Sequence, residues 1–321
     1  MDNLLRSILE IQSVSYNQRE MKKFILKNFG GKKDKKGNIY ITKGKSDIYP
    51  CVVAHLDTVH NIIKSKYYNI CEAGGNAFAM NTKTMQMTGI GGDDKCGIYV
   101  ALKCLEKFDN IKIAFFVDEE IGCVGSRSAD MNFFKDTGYV LECDRKGYSD
   151  VVTNIMSTSI CSIEFQNKIE KTVDLFAKEF CKNGGLTDVY QLVENGLNVS
   201  CLNLSCGYYN PHTNEEFINL EDLEYTKDFV FKIIELLGHE KYEHTPARTY
   251  SMYDFNSWNY NKNKTSHKQL SCTKCGGEET WVVYEEEKLF CYACQDYVDI
   301  SNEEKAYLFG NQENIVNDAK S

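Results

Sequence analysis

Apolar residues recur at Leu4, Leu5, Ile8, Leu9 and Ile11, a helical spacing that predicts a helix at the start of the chain. A second helix is predicted to run to Gly30, with Ser15 as its cap. After a Lys/Gly loop, the pattern changes to the short apolar runs of strands, NIYIT and CVVAH. Between Asn61 and Met87 residues alternate around Gly74-Gly75, which predicts a hairpin excursion. Cys96, Val100, Leu102 and Leu105 mark a buried helix over 93–108. IKIAFFV (111–117) and YVLEC (139–143) are continuous apolar runs, as central strands covered on both faces require. Residues 163–180 read as a helix and SCLNL (200–204) as a strand. A last helix is predicted from Leu220 to Leu237, capped by Asn219 and ended by Gly238. No internal repeat is present. Strands alternating with helices predict an α/β fold with a mainly parallel central sheet and helices on both faces.

Acidic residues and histidines stand at the ends of the apolar runs, in VVAHLDT, GGDDKCG, FFVDEEIG, VLECDRKG and NPHTNEEF. In doubly wound sheets functional groups gather where strands end at their carboxyl side. His55 after CVVA, Glu119 and Glu120 after IAFFV, and Asp144 after YVLEC are therefore expected on one edge. Zinc takes imidazole and carboxylate ligands, and two zinc ions need a carboxylate between them. The inventory suits a two-metal hydrolytic site that cleaves amide bonds. His55 and Asp57, two apart in an extended segment, share a face. Asp57 is expected to hydrogen-bond the second ring nitrogen of His55 and fix its tautomer. Adjacent acids such as Glu119-Glu120 are usually solvated, but here they follow a seven-residue apolar run. Glu142 and Asp118 compete for the metal roles. Glu142 is set aside because it lies inside its predicted strand, whereas Asp144 lies at the end.

These five motifs, in this order over roughly residues 1–240, resemble the zinc-dependent dinuclear exopeptidases of the peptidase T, carboxypeptidase G and leucyl aminopeptidase clan. GGDDKCG and DEEIG make peptidase T-like sequences the nearest match. The resemblance implies a zinc exopeptidase fold with Asp93 bridging two ions. His55 and Asp144 complete one ion, and Glu120 and His212 the other. It also implies Glu119 as general base, Asp57 as the partner of His55, and a cis peptide between Asp93 and Asp94. NGGLTD (183–188) resembles the family's Gly-Gly-Thr-Asp turn and is read as an active-site wall, or else as an ordinary helix-start turn. Many relatives insert a lid or dimerisation domain. Here about forty residues separate Asp144 from Gly184, so the insertion is absent. The cleft is then more open and expected to admit larger substrates, and the usual dimer is in doubt. Where a lid would supply an oxyanion donor, Tyr208 or Tyr209 is available, although simple packing is the favoured reading of both.

Past residue 240 the composition shifts to Tyr, Asn, Lys, Ser and Thr, which predicts a linker over 241–268. A cysteine-bearing module over 269–301 and a polar tail over 302–321 follow. The module carries CTKC (Cys272, Cys275) and CYAC (Cys291, Cys294), fifteen residues apart, the spacing of a zinc ribbon with four thiolates around one structural zinc. Its reading is a stapled small module, a contact for an unidentified macromolecular partner, or both. Trp281, Tyr284 and Phe290 are candidates for its core or for a binding face.

Composition narrows the rest. With 42% hydrophobic residues a core is expected. A net charge of −9 disfavours nucleic acid. The start MDNLLRSILEIQSVS shows no signal-peptide pattern and no stretch is long enough to span a membrane. The 14 cysteines are therefore read as reduced thiols in a cytoplasmic protein. The expected function is a dizinc aminopeptidase acting on a peptide or acylated amine, with cobalt or manganese as alternatives for zinc. A deacylase or carboxypeptidase with the same site is the second reading, and a non-catalytic peptide-binding adaptor the third. Glu119 separates enzyme from adaptor, since an adaptor needs no base beside an intact ligand set.

Overall fold

The computed structural model describes residues 1–246 and, beyond them, 273–274, 280–283, 288–291 and 296–299. The chain forms two compact units, Met1–Ser251 and Met252–Ser321. The first unit opens with helices α1 (Asn3–Leu9) and α2 (Arg19–Phe29). Strands β1 (Lys32–Lys33), β2 (Ile39–Lys43) and β3 (Tyr49–His55) follow. Next come β4 (Tyr68–Ala73), β5 (Asn76–Asn81) and β6 (Gln86–Thr88), with Gly74-Gly75 at the β4–β5 turn. Helix α3 (Gly92–Lys107), β7 (Ile111–Phe116), the short α4 (Val124–Arg127) and β8 (Thr137–Arg145) lead towards the middle of the chain. Short strands β9 (Asp150–Val152), β10 (Asn154–Ile155) and β11 (Thr158–Ser159) precede α5 (Ile163–Leu175) and β12 (Glu179–Cys181). The unit closes with α6 (Asp188–Glu194), β13 (Cys201–Ser205), β14 (Tyr208–Tyr209), β15 (Phe217–Asn219) and α7 (Leu220–Leu237). In the second unit β16 (Thr280–Val283), β17 (Lys288–Cys291) and β18 (Asp296–Asp299) form an antiparallel sheet.

The central sheet has eight strands in the order β1-β2-β7-β3-β8-β13-β9-β12. It is mainly parallel: β3 runs with β7 and β8, β13 with β8, and β12 with β9. The antiparallel pairs are β1–β2, β2–β7 and β13–β9. Side chains alternate between the two faces, as a pleated strand requires. Val52 and Ala54 of β3 join the larger core with residues of α1, α2, α3, α5 and α7. Cys51 and Val53 join a second core with Val189, Leu192 and Val193 of α6. A sheet covered on both faces explains why the β3, β7 and β8 runs are mostly apolar rather than alternating, with Lys112 and Glu142 as buried exceptions. Among the described residues no helix is long and apolar enough to cross a membrane.

The last helix follows its sequence signals closely. Asn219 Oδ1 accepts from the N–H groups of Glu221 and Asp222, and Gly238 closes α7 at φ +57°. A side-chain cap of this kind is worth about 1 kcal/mol. Other expectations are corrected. Ser15 does not cap α2, which begins at Arg19 with no side-chain cap; its hydroxyl donates to Asp57 Oδ2 at 2.7 Å. The helix expected over 163–180 ends at Leu175, because Ala177 turns to φ +47° and 179–181 become β12 beside β9. Residues expected to begin the linker pack on the first unit. Tyr242 is buried against Tyr139 and Phe165, and its backbone bonds Gly138 and Ser200. The side chains of Cys272, Cys275, Cys291 and Cys294, and those of Trp281, Tyr284 and Phe290, lie outside the described residues.

Candidate metal centre

Three parallel strands deliver the site. His55 is the last residue of β3, Glu119 and Glu120 follow β7, and Asp144 lies on β8. Asp93 enters from the start of α3, and His212 from the loop after β14. Asp144 is not past its strand, because β8 continues to Arg145. Glu142 and Asp144 therefore share a face by alternation, and position in the strand does not separate them. Their surroundings do. Asp144 lines a cavity of about 310 Å³ with Asp93, Glu119, Glu120 and His212. Glu142 is fully buried, takes Val189 N–H at 3.4 Å, and has its carboxyl pushed well above the usual range by burial. Asp118 is occupied elsewhere: Oδ1 accepts from Tyr16 N–H and Gln18 Nε2, both at 2.6 Å.

Asp93 presents its two oxygens to two different histidines. Oδ1 lies 3.1 Å from His55 Nε2, and Oδ2 lies 3.3 Å from His212 Nε2. His55 Nε2 also lies 3.7 Å from Asp144 Oδ1, and His212 Nε2 lies 3.1 Å from Glu120 Oε2. The cluster thus divides into two sets that share Asp93, one of His55 and Asp144, the other of His212 and Glu120. Ligand atoms of His55, Asp93 and Glu120 fall within 4.8 Å of one another, so these residues form a possible metal site.

The loop that carries Asp93 is held from several sides. The Asp93–Asp94 peptide is cis, as the resemblance implied. Asp94 is buried and ties two elements together: Oδ2 accepts from His55 N–H at 3.1 Å and Oδ1 from Gly97 N–H at 2.9 Å. A Cβ at Gly97 would sit 2.3 Å from that carboxylate, which accounts for the last glycine of GGDDKCG. Gly91 adopts φ +71°, a region that favours glycine. Glu216, from the NEEF segment, is fully buried beneath the loop. It accepts from Gly91 N–H at 2.7 Å and Asp93 N–H at 3.1 Å, and its Oε2 lies 2.6 Å from His60 Nε2. Adjacent acids in a polar segment read as solvated surface, so sequence reasoning missed Glu216. His60, five residues after His55, had no partner visible in the sequence.

Asp57 faces the second ring nitrogen of His55, as expected, with Oδ1 3.6 Å from Nδ1, an ion-pair rather than a hydrogen-bond distance. The carboxylate also accepts from Glu119 N–H at 3.0 Å, Glu120 N–H at 3.3 Å and Ser15 Oγ at 2.7 Å. It fixes the turn that presents both glutamates. Asp144 is braced by groups that spacing did not reveal: Thr187 Oγ1 donates at 2.8 Å and Tyr208 OH at 3.2 Å to its two oxygens. Asn203 pairs with its backbone on both sides. Thr187 belongs to NGGLTD, and Gly185, Leu186 and Thr187 line the cavity as the wall reading expected. Tyr208 reaches the site, whereas Tyr209 bonds Asp222 and stacks on Phe217.

Charge in this cluster is out of balance. Burial pushes Glu119 well above the usual carboxylate range and raises Glu120; burial and Asp93 together raise Asp144. Asp93 goes the other way, because hydrogen bonds from His212 and His55 outweigh its burial. His212 is pushed up to about 10 by Asp93 and Glu120, and His55 is held high by its carboxylate partners against its burial. Four partly buried carboxylates converge here with the His55 and His212 imidazoles, a donor set suited to cations, since like charges brought together out of water are stable only when neutralised or paired. Glu120 Oε1 is buried with no hydrogen-bond partner among the described residues. The residues present therefore fit divalent ions.

No family model matches the chain, and no curated protein sequence matches it. Solved structures do. Aminopeptidase PepT from Bacillus cereus superposes with a TM-score of 0.59 at 15% identity, over 73% of this chain and 97% of that one. A tripeptidase from Staphylococcus aureus gives 0.57 at 13% identity, over 73% and 97%. A TET aminopeptidase from a marine-sediment thaumarchaeon gives 0.56 at 13% identity, over 72% and 96%. At such identities the likeness is one of backbone architecture: this chain has the fold in which those peptidases are built.

Proposed function

We propose that this protein is a metal-dependent peptidase, an aminopeptidase that removes residues from peptide N-termini through a dinuclear centre. The observation that carries the reading is the division of Asp93 between two histidine–carboxylate sets. His55 and Asp144 would hold one ion, Glu120 and His212 the other, with Asp93 between. Zinc suits imidazole and carboxylate ligands best, and cobalt or manganese fit the same set. Bound there, the cations would lower the pKa of a bound water and polarise the scissile carbonyl.

The chain's own residues supply the rest. Glu119 lines the same cavity and is held by its N–H to Asp57 Oδ1 and by Cys123 Sγ at 3.3 Å from Oε1. It accepts the proton of the attacking water and passes it to the leaving amine, a contribution of about 10²–10⁴ in rate. Tyr208 and Thr187 each donate to Asp144 and hold that carboxylate in place. Asp57 keeps Glu119 and Glu120 in place without touching substrate. The cysteine pairs at 272–275 and 291–294 are proposed to hold a structural zinc, with the three-stranded β16–β18 sheet as their scaffold.

The test is a mixed peptide library scored by mass spectrometry, with zinc-loaded wild type and Glu119→Gln. Loss of single N-terminal residues by the wild type, and a drop of at least about a hundredfold in the variant, is expected. Trimming from the C-terminus would move the assignment to a carboxypeptidase. No cleavage despite bound metal would favour a non-peptide amide or the adaptor reading.

A further inference from the structure

The hairpin excursion leaves a strand edge open beside the metal centre. One edge of β5 pairs with β4 along its whole length. Its other edge is shared: Asn76–Phe78 pair with β15, and Ala79–Asn81 pair with β6. The far edge of β15 is covered by β14, through Tyr208↔Ile218 and Tyr209↔Phe217. The far edge of β6 is covered by no strand among the described residues. A strand laid there would continue the row that β14 begins. The chain itself leaves that row at Asn210, where φ turns to +52°, and carries His212 into the metal cluster.

The space along that edge is a groove of about 720 Å³. Gln86 and Thr88 of β6 form one side, His60 and Asn61 another, and His212 and Asn214 the end. His212 also lines the cavity that holds Asp93, Glu119 and Asp144, so groove and metal centre adjoin at that residue. Its lining mixes amide, hydroxyl and imidazole side chains with the apolar Val59, Ile63 and Met87. An open strand edge offers a row of N–H and C=O groups, the means by which extended peptides are bound by strand addition.

We propose that this groove seats the peptide substrate as an added β-strand on β6, holding the flank C-terminal to the scissile bond through its main chain. The proposal rests on the aminopeptidase reading of the metal centre. It names the substrate class as extended peptides rather than dipeptides. Three residues of β6 at about 3.3 Å each span about 10 Å, so about three flanking residues are held. Main-chain pairing makes recognition tolerant of side-chain identity along the flank.

The test uses zinc-loaded Glu119→Gln protein and C-terminally fluorescein-labelled leucyl-alanine peptides of two to seven residues, with wild-type turnover measured alongside. The expected result is a Kd that falls at least tenfold from the dipeptide to the tetra- or pentapeptide and is flat beyond. N-methylation of single amides along the hexapeptide then raises Kd about tenfold at every second flanking position only, because alternate N–H groups of a strand face its neighbour. A Kd independent of length, or methyl sensitivity without alternation, overturns the proposal. Length-independent binding with turnover leaves the peptidase reading standing and removes the groove. Alternating binding without turnover by the wild type does the reverse, and absence of both removes the two together.

Discussion

An Asp57→Asn substitution exchanges one acceptor oxygen for a donor amide while the N–H groups of Glu119 and Glu120 still point at the side chain. Either orientation of the amide faces a donor with a donor, so the turn presenting the two glutamates must shift. Metal affinity is expected to fall ten- to a hundredfold, the usual cost of losing a support behind the ligands. Competition against a zinc chelator measures it, and unchanged affinity would show that the turn holds without Asp57. His212 contributes to the pH dependence alongside His55, whose carboxylate partners also hold it high. Before a cation binds, the His212 imidazole is raised from 6.5 to about 10 by Asp93 and Glu120, so proton and metal compete for Nε2 below that pH. Zinc affinity should therefore rise with pH from about 7 to about 10, by about tenfold per unit for each proton displaced. A flat profile by the same competition assay would contradict it. At this scale His55, Glu119, Glu120 and Asp144 were legible because each ends an apolar run, whereas Asp93 and His212 were found through the resemblance of their motifs. The supports of these residues were not legible: Ser15, Thr187 and Glu216 come from distant segments, and no local pattern marks a hydroxyl or carboxylate whose partner is far away in sequence.

The start of α3 is held from beneath the loop by the carboxylate of Glu216. Glu216 accepts from Gly91 and Asp93 on different oxygens. Glu216→Gln must turn an N–H₂ group towards one of those N–H groups, leaving a buried donor unpaired at a cost of about 1–3 kcal/mol. Tm is expected to fall by several degrees, at about 2–4 °C per kcal/mol for a unit of this size. Zinc affinity should fall with it as Asp93 moves. Equal loss of Tm with intact zinc affinity would make Glu216 a stability residue only. Long elements, α3 and α7, were legible nearly to their ends, α7 through its apolar stripe and its caps and α3 through a run buried nearly all round. Short ones were not. β12 is three residues following a helix in sequence, and it is strand only because β9 lies beside it. The two-residue β14 likewise owes its pairing to β15. The hairpin of β4 and β5 was legible through Gly74-Gly75, but β6 and the open edge it leaves were not.

At the scale of the whole molecule, the sheet order explains why residues as far apart as 55, 120 and 144 meet. β7, β3 and β8 are adjacent and parallel, so their carboxyl ends lie side by side. α3 packs on the same strands and delivers Asp93 from its first turn. This convergence follows from the alternation of strands and helices and was legible in the sequence. The exit of the chain from the first unit was not, because composition changes at 240 while packing continues to Tyr242 and beyond. The central claim is that Asp93 stands between two metal ions. Zinc-edge anomalous diffraction from crystals of the zinc-loaded protein tests it most directly. The predicted result is two peaks about 3.5–4 Å apart, one beside His55 and Asp144 and one beside Glu120 and His212, with an Asp93 oxygen facing each. A single peak, or peaks that leave Asp93 on one side, would contradict the dinuclear account.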